Sequence, residues 1–289
     1  KQFLNVFPAT VNENWIIEGL SSYLSLVILH SLSIEKENEK KEFEFEFENN
    51  SMIEINQNLY QLKFFRVTLN TDSTSQVNSI AEKISLIDDE TLFDSVYINK
   101  STCLFRMLFL NKNFEFCRNS INKMKERAES EESLTTENFL DSFNCIQSEP
   151  YFESYFKNQG YPIVILDDDL TIHQTRFTFS RNSTDFLWKI PLKIIVLKLN
   201  TDDNSKSENI FNEIKTVSLL FDKKEFNLKN SIQIENLDDK LLIVNPNSET
   251  ICRVWYKGKW MSKICENTEF LSKSKFRSDL FNIFMDVTA

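Results

Sequence analysis

The sequence predicts an α+β, multidomain chain, with a helical part over residues 1–160 and a strand-rich part after it. Three observations predict it. Before residue 160, apolar residues recur every three or four positions, the spacing of helices with a buried face. From Ile163 onward they fall into short runs of strand length. Between the two regimes stands Gly160-Tyr161-Pro162, where Gly160 is a helix stop and Pro162 cannot continue a helix. A domain boundary is expected there. A chain of 289 residues at 41% hydrophobic content is long enough for two compact domains.

Composition excludes several function classes. With only 3 Gly, the chain holds no G-x-G-x-x-G and no phosphate-cradling P-loop. A net charge of -10 repels nucleic acid, and no basic stripe with interleaved aromatics offsets it, so no nucleic-acid partner is expected. No unbroken apolar run reaches about 18 residues, so no membrane-spanning segment is expected. The five Cys (103, 117, 145, 252 and 265) show no C-x-x-C spacing and are odd in number. They read as scattered, mostly buried thiols, with one bridged pair left open. The two His, His30 and His173, are too distant to form a local ligand pair, and no H-E-x-x-H occurs. Without an initial Met or a signal peptide, the chain reads as a piece of something longer, and its compartment stays open.

The elements follow in order. Asn14 to about Leu32 forms a helix, with Trp15, Ile16, Leu20, Tyr23, Leu24, Val27 and Ile28 at helical spacing. Glu18 sits near its start among apolar neighbours. A carboxylate there is paired, protonated or bound to a metal, or it simply favours the positive end of the helix dipole. Residues 35–50 combine a charge run with the alternating Phe43–Glu48 and read as a surface insertion without a catalytic role. Gln57–Val67 is expected to be helical and Asn70–Ser75 a polar loop. Asn113–Ala128 reads as a helix with Phe114, Cys117, Ile121 and Met124 on one face. Thr135 or Thr136 caps the next helix, and Phe152–Gly160 is another. Strands are expected at 163–166, 170–180, 187–199, 216–221, 232–235, 241–244 and 250–256. Asp167-Asp168-Asp169 falls in the first hairpin turn. An acidic triplet suggests calcium, but no EF-hand spacing follows, and a solvated turn is the commoner use. Sequons start at Asn49, Asn99 and Asn182, of which Asn99 falls on a packed helix, a poor glycan site.

Several stretches resemble one family. Trp15-Ile16-Ile17-Glu18-Gly19-Leu20 resembles the W-L-N-E-G-F-A motif of zinc aminopeptidases of the aminopeptidase N and leukotriene A4 hydrolase type, with Ile17 departing from the family Asn. Phe93–Ser101 and Leu104–Leu108 resemble F-D-S-I-S-Y-S-K-G and V-L-R-M-L. In that register Ile98 occupies the family's Tyr position, and Tyr97 falls one place early. Thr135–Leu140 is similar to T-T-x-D-L, and Gly160–Val164 to G-Y-P-V-V, with Tyr155 where a Trp is usual. Arg176, Phe177, Trp188, Ile190 and Pro191 fall on Q-x-R-F and W-x-I-P positions. Ile251–Tyr256 resembles G-Y-Y-R-V-N-Y, and Phe270–Leu280 resembles F-S-x-x-D-R-x-x-L loosely.

The resemblance implies the helical half of a thermolysin-like catalytic domain over 1–160, a β-sandwich over 161–257 and the start of a C-terminal helical domain over 258–289. It implies that Glu18 is the third zinc ligand, after the His pair of an H-E-x-x-H, and that zinc activates water in the intact family. It gives Tyr97, displaced by one position, as the candidate for the phenol that stabilises the oxyanion. It implies peptides or a protein partner as what the chain meets. The His pair, the general base and the amine clamp would lie upstream, since only 17 residues precede Glu18. The 289-residue chain is therefore expected to bind no zinc tightly and to turn over no amino-acyl substrate. A second expectation is a non-catalytic scaffold or peptide-binding relative, to which Ile17 and Ile98 point.

Overall fold

The structure, a computed structural model, describes residues 8–37, 55–73, 79–81, 95–110, 112–130, 133–144, 149–179, 186–199, 211–234 and 236–288. They form a mixed α/β structure with two small sheets. The chain divides into two compact units, Lys1–Gly160 and Tyr161–Ala289. Most of the 35–50 insertion, Phe93, Asp94, Cys145 and the sequons at Asn49 and Asn182 lie outside the described residues.

The helical unit is built on α1 (Asn14–Glu37). A turn over Val11–Glu13 leads into it, and there the Glu13 carboxylate accepts from the Thr10 backbone N–H at 3.0 Å while the Thr10 hydroxyl accepts from the Asn12 N–H at 3.1 Å. This is the reciprocal logic of a capping box. Next come α2 (Gln57–Tyr60), a π-helical turn over Gln61–Phe65, α3 (Arg66–Thr71) and α4 (Ser95–Phe109). They are followed by α5 (Phe114–Ser130), α6 (Thr136–Ser142) and α7 (Phe152–Lys157). Asn113 caps α5 through the Phe116 N–H at 2.9 Å, and Thr135 caps α6 through the Asn138 N–H at 3.1 Å.

Aromatic rings fill the core of this unit. Trp15 meets Phe139 edge-on and Phe156 at a tilt, each at 5.1 Å between centroids, and Tyr23 stacks on Phe109 at 5.1 Å. Such pairs add to area burial by geometry. By length and composition alone, Asn14–Leu32 is long and apolar enough to cross a membrane. Here its residues Trp15, Ile16, Leu20, Tyr23 and Leu26 are buried in the helical unit.

The second unit holds the strands β1 (Tyr161–Leu166), β2 (Thr171–Phe177), β3 (Ile190–Leu199), β4 (Phe211–Phe221), β5 (Glu225–Asn227), β6 (Lys240–Val244) and β7 (Arg253–Tyr256). One sheet has the order β5-β2-β1-β7, with β7 parallel to β1; the other has the order β4-β3-β6. In β4 a bulge leaves Ile214 unpaired between Glu213↔Leu197 and Lys215↔Val196. Gln174 of β2 ties the two sheets. Its amide donates to the carbonyls of Trp188 at 3.0 Å and Lys223 at 2.9 Å, and its side-chain oxygen accepts from the Trp188 N–H at 2.9 Å. The Tyr256 hydroxyl of β7 accepts from the Val244 N–H of β6 at 2.7 Å.

One expected strand is absent. Ile232-Gln233-Ile234-Glu235 alternates, which reads as a strand, but α8 (Lys229–Ile232) is a helical turn that ends at Gln233 with φ 52. Leu228 and Ile232, four residues apart, are both fully buried, so helical spacing wins over the alternation. The helices α9 (Gly258–Glu266), α10 (Thr268–Ser272) and α11 (Arg277–Val287) group with the strands in the second unit.

The acidic triplet is taken up by bonds within the second unit, some local and some to residues far along the chain. Asp168 accepts from the Lys259 N–H at 2.7 Å, serving as a cap for α9 from far along the chain. Asp169 accepts from the Thr171 N–H and hydroxyl at 3.0 Å each, and those bonds hold its carboxyl below the usual range. Asp167 meets Lys257 and His173, each at 2.8 Å, and the Lys257 ammonium is the main cause that lowers its pKa.

Candidate functional site

The two motif-bearing helices, α1 and α4, pack on each other. The contact is set by Gly19, the Gly of the motif. A Cβ built there would lie 2.5 Å from the Ser101 hydroxyl oxygen, 2.7 Å from its Cβ and 3.0 Å from its backbone carbon. Only a residue without a side chain lets the backbones approach this closely, and this outweighs the roughly 1 kcal/mol that Gly costs in a helix interior. Gly19→Ala is therefore expected to lower stability by about 1–3 kcal/mol, the usual cost of overpacking. Adding Ser101→Gly should recover part of it. Urea unfolding of the two variants checks this; an unchanged midpoint for Gly19→Ala alone would remove the close-crossing argument.

Glu18 lies beside that Gly on α1 and is half-buried. On α4, Tyr97 is half-buried and its hydroxyl donates to the Ser79 carbonyl at 3.4 Å. Ile98, in the position of the family phenol, is half-buried too. Its carbonyl accepts from the Thr102 hydroxyl at 2.7 Å and from the Ser101 hydroxyl at 3.1 Å. The structure thus places the two sequence-predicted site residues, Glu18 and Tyr97, on a pair of contacting helices.

His30 does not join Glu18 in one ligand set. His30 is on α1 itself, twelve residues beyond Glu18, which is about 18 Å along a helix axis. Ligands of one zinc lie about 2 Å from the ion, so no single ion reaches both. His173 is on β2 in the other unit, where it meets Asp167 at 2.8 Å and Glu225 at 3.8 Å. No group of three or more His, Cys, Asp or Glu among the described residues is arranged to hold a metal. The donors that accompany Glu18 among the described residues do not make a zinc set.

Among the described residues, the buried thiols offer no ready nucleophile. Burial pushes the Cys103 thiol up to about 11 and raises Cys117 and Cys252 as well, so all three stay protonated near neutrality. Burial likewise raises the phenols of Tyr23 and Tyr60. Asn99 is buried on α4, which excludes it as a glycan acceptor in the folded chain.

Some organising residues escaped the sequence reading. Lys100, a motif position, is buried and pairs with Asp72 at 2.8 Å. Its ammonium also donates to the carbonyls of Asn158 and Gly160 at 3.1 Å each, and Asp72 accepts from the Gly160 N–H at 3.1 Å. Beside this clamp, Arg106 donates to the Gln57 side chain at 2.8 Å and lies 4.6 Å from the Tyr60 ring, within cation–π range. The available signal was motif position, since Lys100 and Arg106 both fall within the matched stretches of α4.

No protein-family model matches the chain, and no curated protein matches it in sequence.

Proposed function

We propose that this chain is a degenerate or partial member of the zinc aminopeptidase class, one that keeps the motif-bearing helices as a fold and is inactive by itself. The observation that carries this reading is the tight crossing of α1 and α4, with Gly19 of the W-x-x-E-G match seated against Ser101 of the second motif. Two motifs some 80 residues apart in the sequence gain a shared reason to be present if they build one helix pair. Ile98, where the family has its phenol, and the Tyr97 hydroxyl directed at the Ser79 carbonyl favour the second reading, a non-catalytic scaffold or peptide-binding relative.

Both readings lead to the same expected result for the 289-residue chain: no release of coumarin from amino-acyl-coumarin substrates, and no stoichiometric zinc after dialysis. Loss of one oxyanion donor alone costs about 10²–10³ in rate, and loss of the metal removes the nucleophile. Ile98→Tyr should restore nothing. Turnover abolished by Tyr97→Phe, or one zinc per chain that disappears in Glu18→Ala, would overturn the inactive reading. Should a longer form of the protein carry H-E-x-x-H, the same assay on it separates the two readings.

A further inference from the structure

We propose that the outer edge of β4 is a docking site for an extended peptide, which joins the sheet as a further antiparallel strand over Thr216–Phe221. The peptide has an uncharged six-residue core with a base before it and an acid after it. The site lies wholly in the strand-bearing unit and does not depend on the aminopeptidase reading.

A strand at the edge of a sheet turns a row of backbone N–H and C=O groups outward, and folded chains blunt such rows. Among the described residues, three of the four sheet edges are blunted. β5 is only three residues long. On β7, Asp286 accepts from the Val254 N–H at 2.9 Å. On β6, the Tyr256 hydroxyl accepts from the Val244 N–H at 2.7 Å, and the Lys263 ammonium donates to the Lys240 carbonyl at 3.0 Å. β4 is the exception. It is 11 residues long, and its bulge at Ile214 disturbs only its beginning. From Thr216 to Phe221 it carries no charge and no Pro, the residues that guard an edge. Beyond the ladder with β3, the backbone of Thr216–Leu220 makes no hydrogen bond among the described residues. Six residues make an open row of about 20 Å.

An extended backbone is the natural complement of that row, because its N–H and C=O groups alternate at the same spacing. Side chains and charge select the rest. Val217 and Phe221 are buried, whereas Thr216, Ser218 and Leu220 are exposed, so an added strand sets apolar residues on the inner side and polar ones on the outer. Lys215 and Asp222 bracket the row with opposite charges, and neither makes an ion pair among the described residues. The Lys215 ammonium donates to the Ile232 carbonyl at 2.6 Å. An antiparallel strand meets Asp222 with its N-terminal flank and Lys215 with its C-terminal flank, so a base first and an acid last are complementary. In a second copy of this chain, the bulge at Ile214 would fall beside the turn after Phe221 and pull Lys215 out of line with Asp222, whereas a slim peptide meets no such obstacle.

The probe is the peptide KVTVTVTE, amidated, labelled with fluorescein at its N-terminus and titrated with the full 289-residue chain to about 1 mM, with fluorescence polarisation as the readout. The expected result is saturable binding that weakens severalfold when the two flanking charges are exchanged. Neighbouring residues of a strand point their N–H groups to opposite edges, so of Ser218→Pro and Leu219→Pro one loses an outward N–H and the other breaks the ladder with β3. The variant that keeps the circular dichroism of the parent should bind at least about tenfold more weakly. Hydrogen exchange of the parent needs no variant: the peptide should slow amides within Thr216–Phe221. No saturable binding, equal binding of the charge-exchanged peptide, a folded proline variant that binds as the parent does, or exchange unchanged over Thr216–Phe221 would each overturn the proposal. So would a dimer of the peptide-free chain that the same proline variant abolishes, since it would give the edge to a second copy.

Discussion

Lys100→Met lowers the stability of the helical unit by about 3–5 kcal/mol, the cost of breaking a buried ion pair from one side. Lys100 and Asp72 are 1% and 0% exposed, so neither charge has water to fall back on. The mutation strips Asp72 of its counter-ion and leaves the Asn158 and Gly160 carbonyls without the ammonium that bonds them. Met fills most of the Lys volume, so the loss reports charge and hydrogen bonding rather than a cavity. The control is Lys100→Met with Asp72→Asn, which keeps an acceptor for the Gly160 N–H and removes the stranded charge. Its loss should be clearly smaller than that of Lys100→Met alone. Urea unfolding followed by far-ultraviolet circular dichroism provides the comparison. Equal losses in the single and double variants would mean that the stranded Asp72 charge is not what makes the loss of Lys100 costly.

Arg253→Ala has the second large effect, again about 3–5 kcal/mol, and it falls on the strand-bearing unit. Arg253 is fully buried on β7. Its Nε donates to the Tyr161 hydroxyl at 3.0 Å, its Nη1 meets Asp286 at 3.1 Å, and its guanidinium lies 4.5 Å from the Phe177 ring. Truncation removes the ion pair, a cation–π contact and the packing of a long side chain at once. Asp286→Asn tests the partner more gently, since an amide oxygen still accepts from the Val254 N–H. If the two residues act together, the losses of Arg253→Ala and Asp286→Ala will not add, with a coupling of about 0.5–3 kcal/mol. Strict additivity would show that Arg253 acts mainly through its aromatic contacts.

How much of this was legible beforehand depends on distance along the chain. The helix over Asn113–Ala128 and the cap at Thr135 were readable because period and capping are local. The change of regime at Gly160 was readable for the same reason, and Gly160 does adopt a positive φ of 75. The Asp72–Lys100 pair was not: Asp72 looked like one more polar residue in a loop, and nothing local says which distant lysine it meets. The same holds for Asp168 as a cap for α9, 91 residues away, and for the parallel pairing of β1 with β7. The alternating Ile232–Glu235 misled because period two is also what a buried helical turn followed by an isolated apolar residue looks like. At the site, Glu18 and Tyr97 were picked out by motif position, whereas the seating of Gly19 on Ser101 emerges only once two helices cross.

The clamp at Gly160 also bears on exchange with solvent. Both main-chain polar groups of this residue are occupied, its N–H by Asp72 and its carbonyl by Lys100. Both partners are buried, and the bond to Asp72 spans 88 residues of chain. No fraying of a helix end frees that proton; Asp72 and Lys100 have to separate from the chain after α7 first. In deuterated water the Gly160 amide therefore trades its hydrogen only through the rare openings that undo the helical unit as a whole. One backbone proton becomes a gauge of how often the first 160 residues come apart.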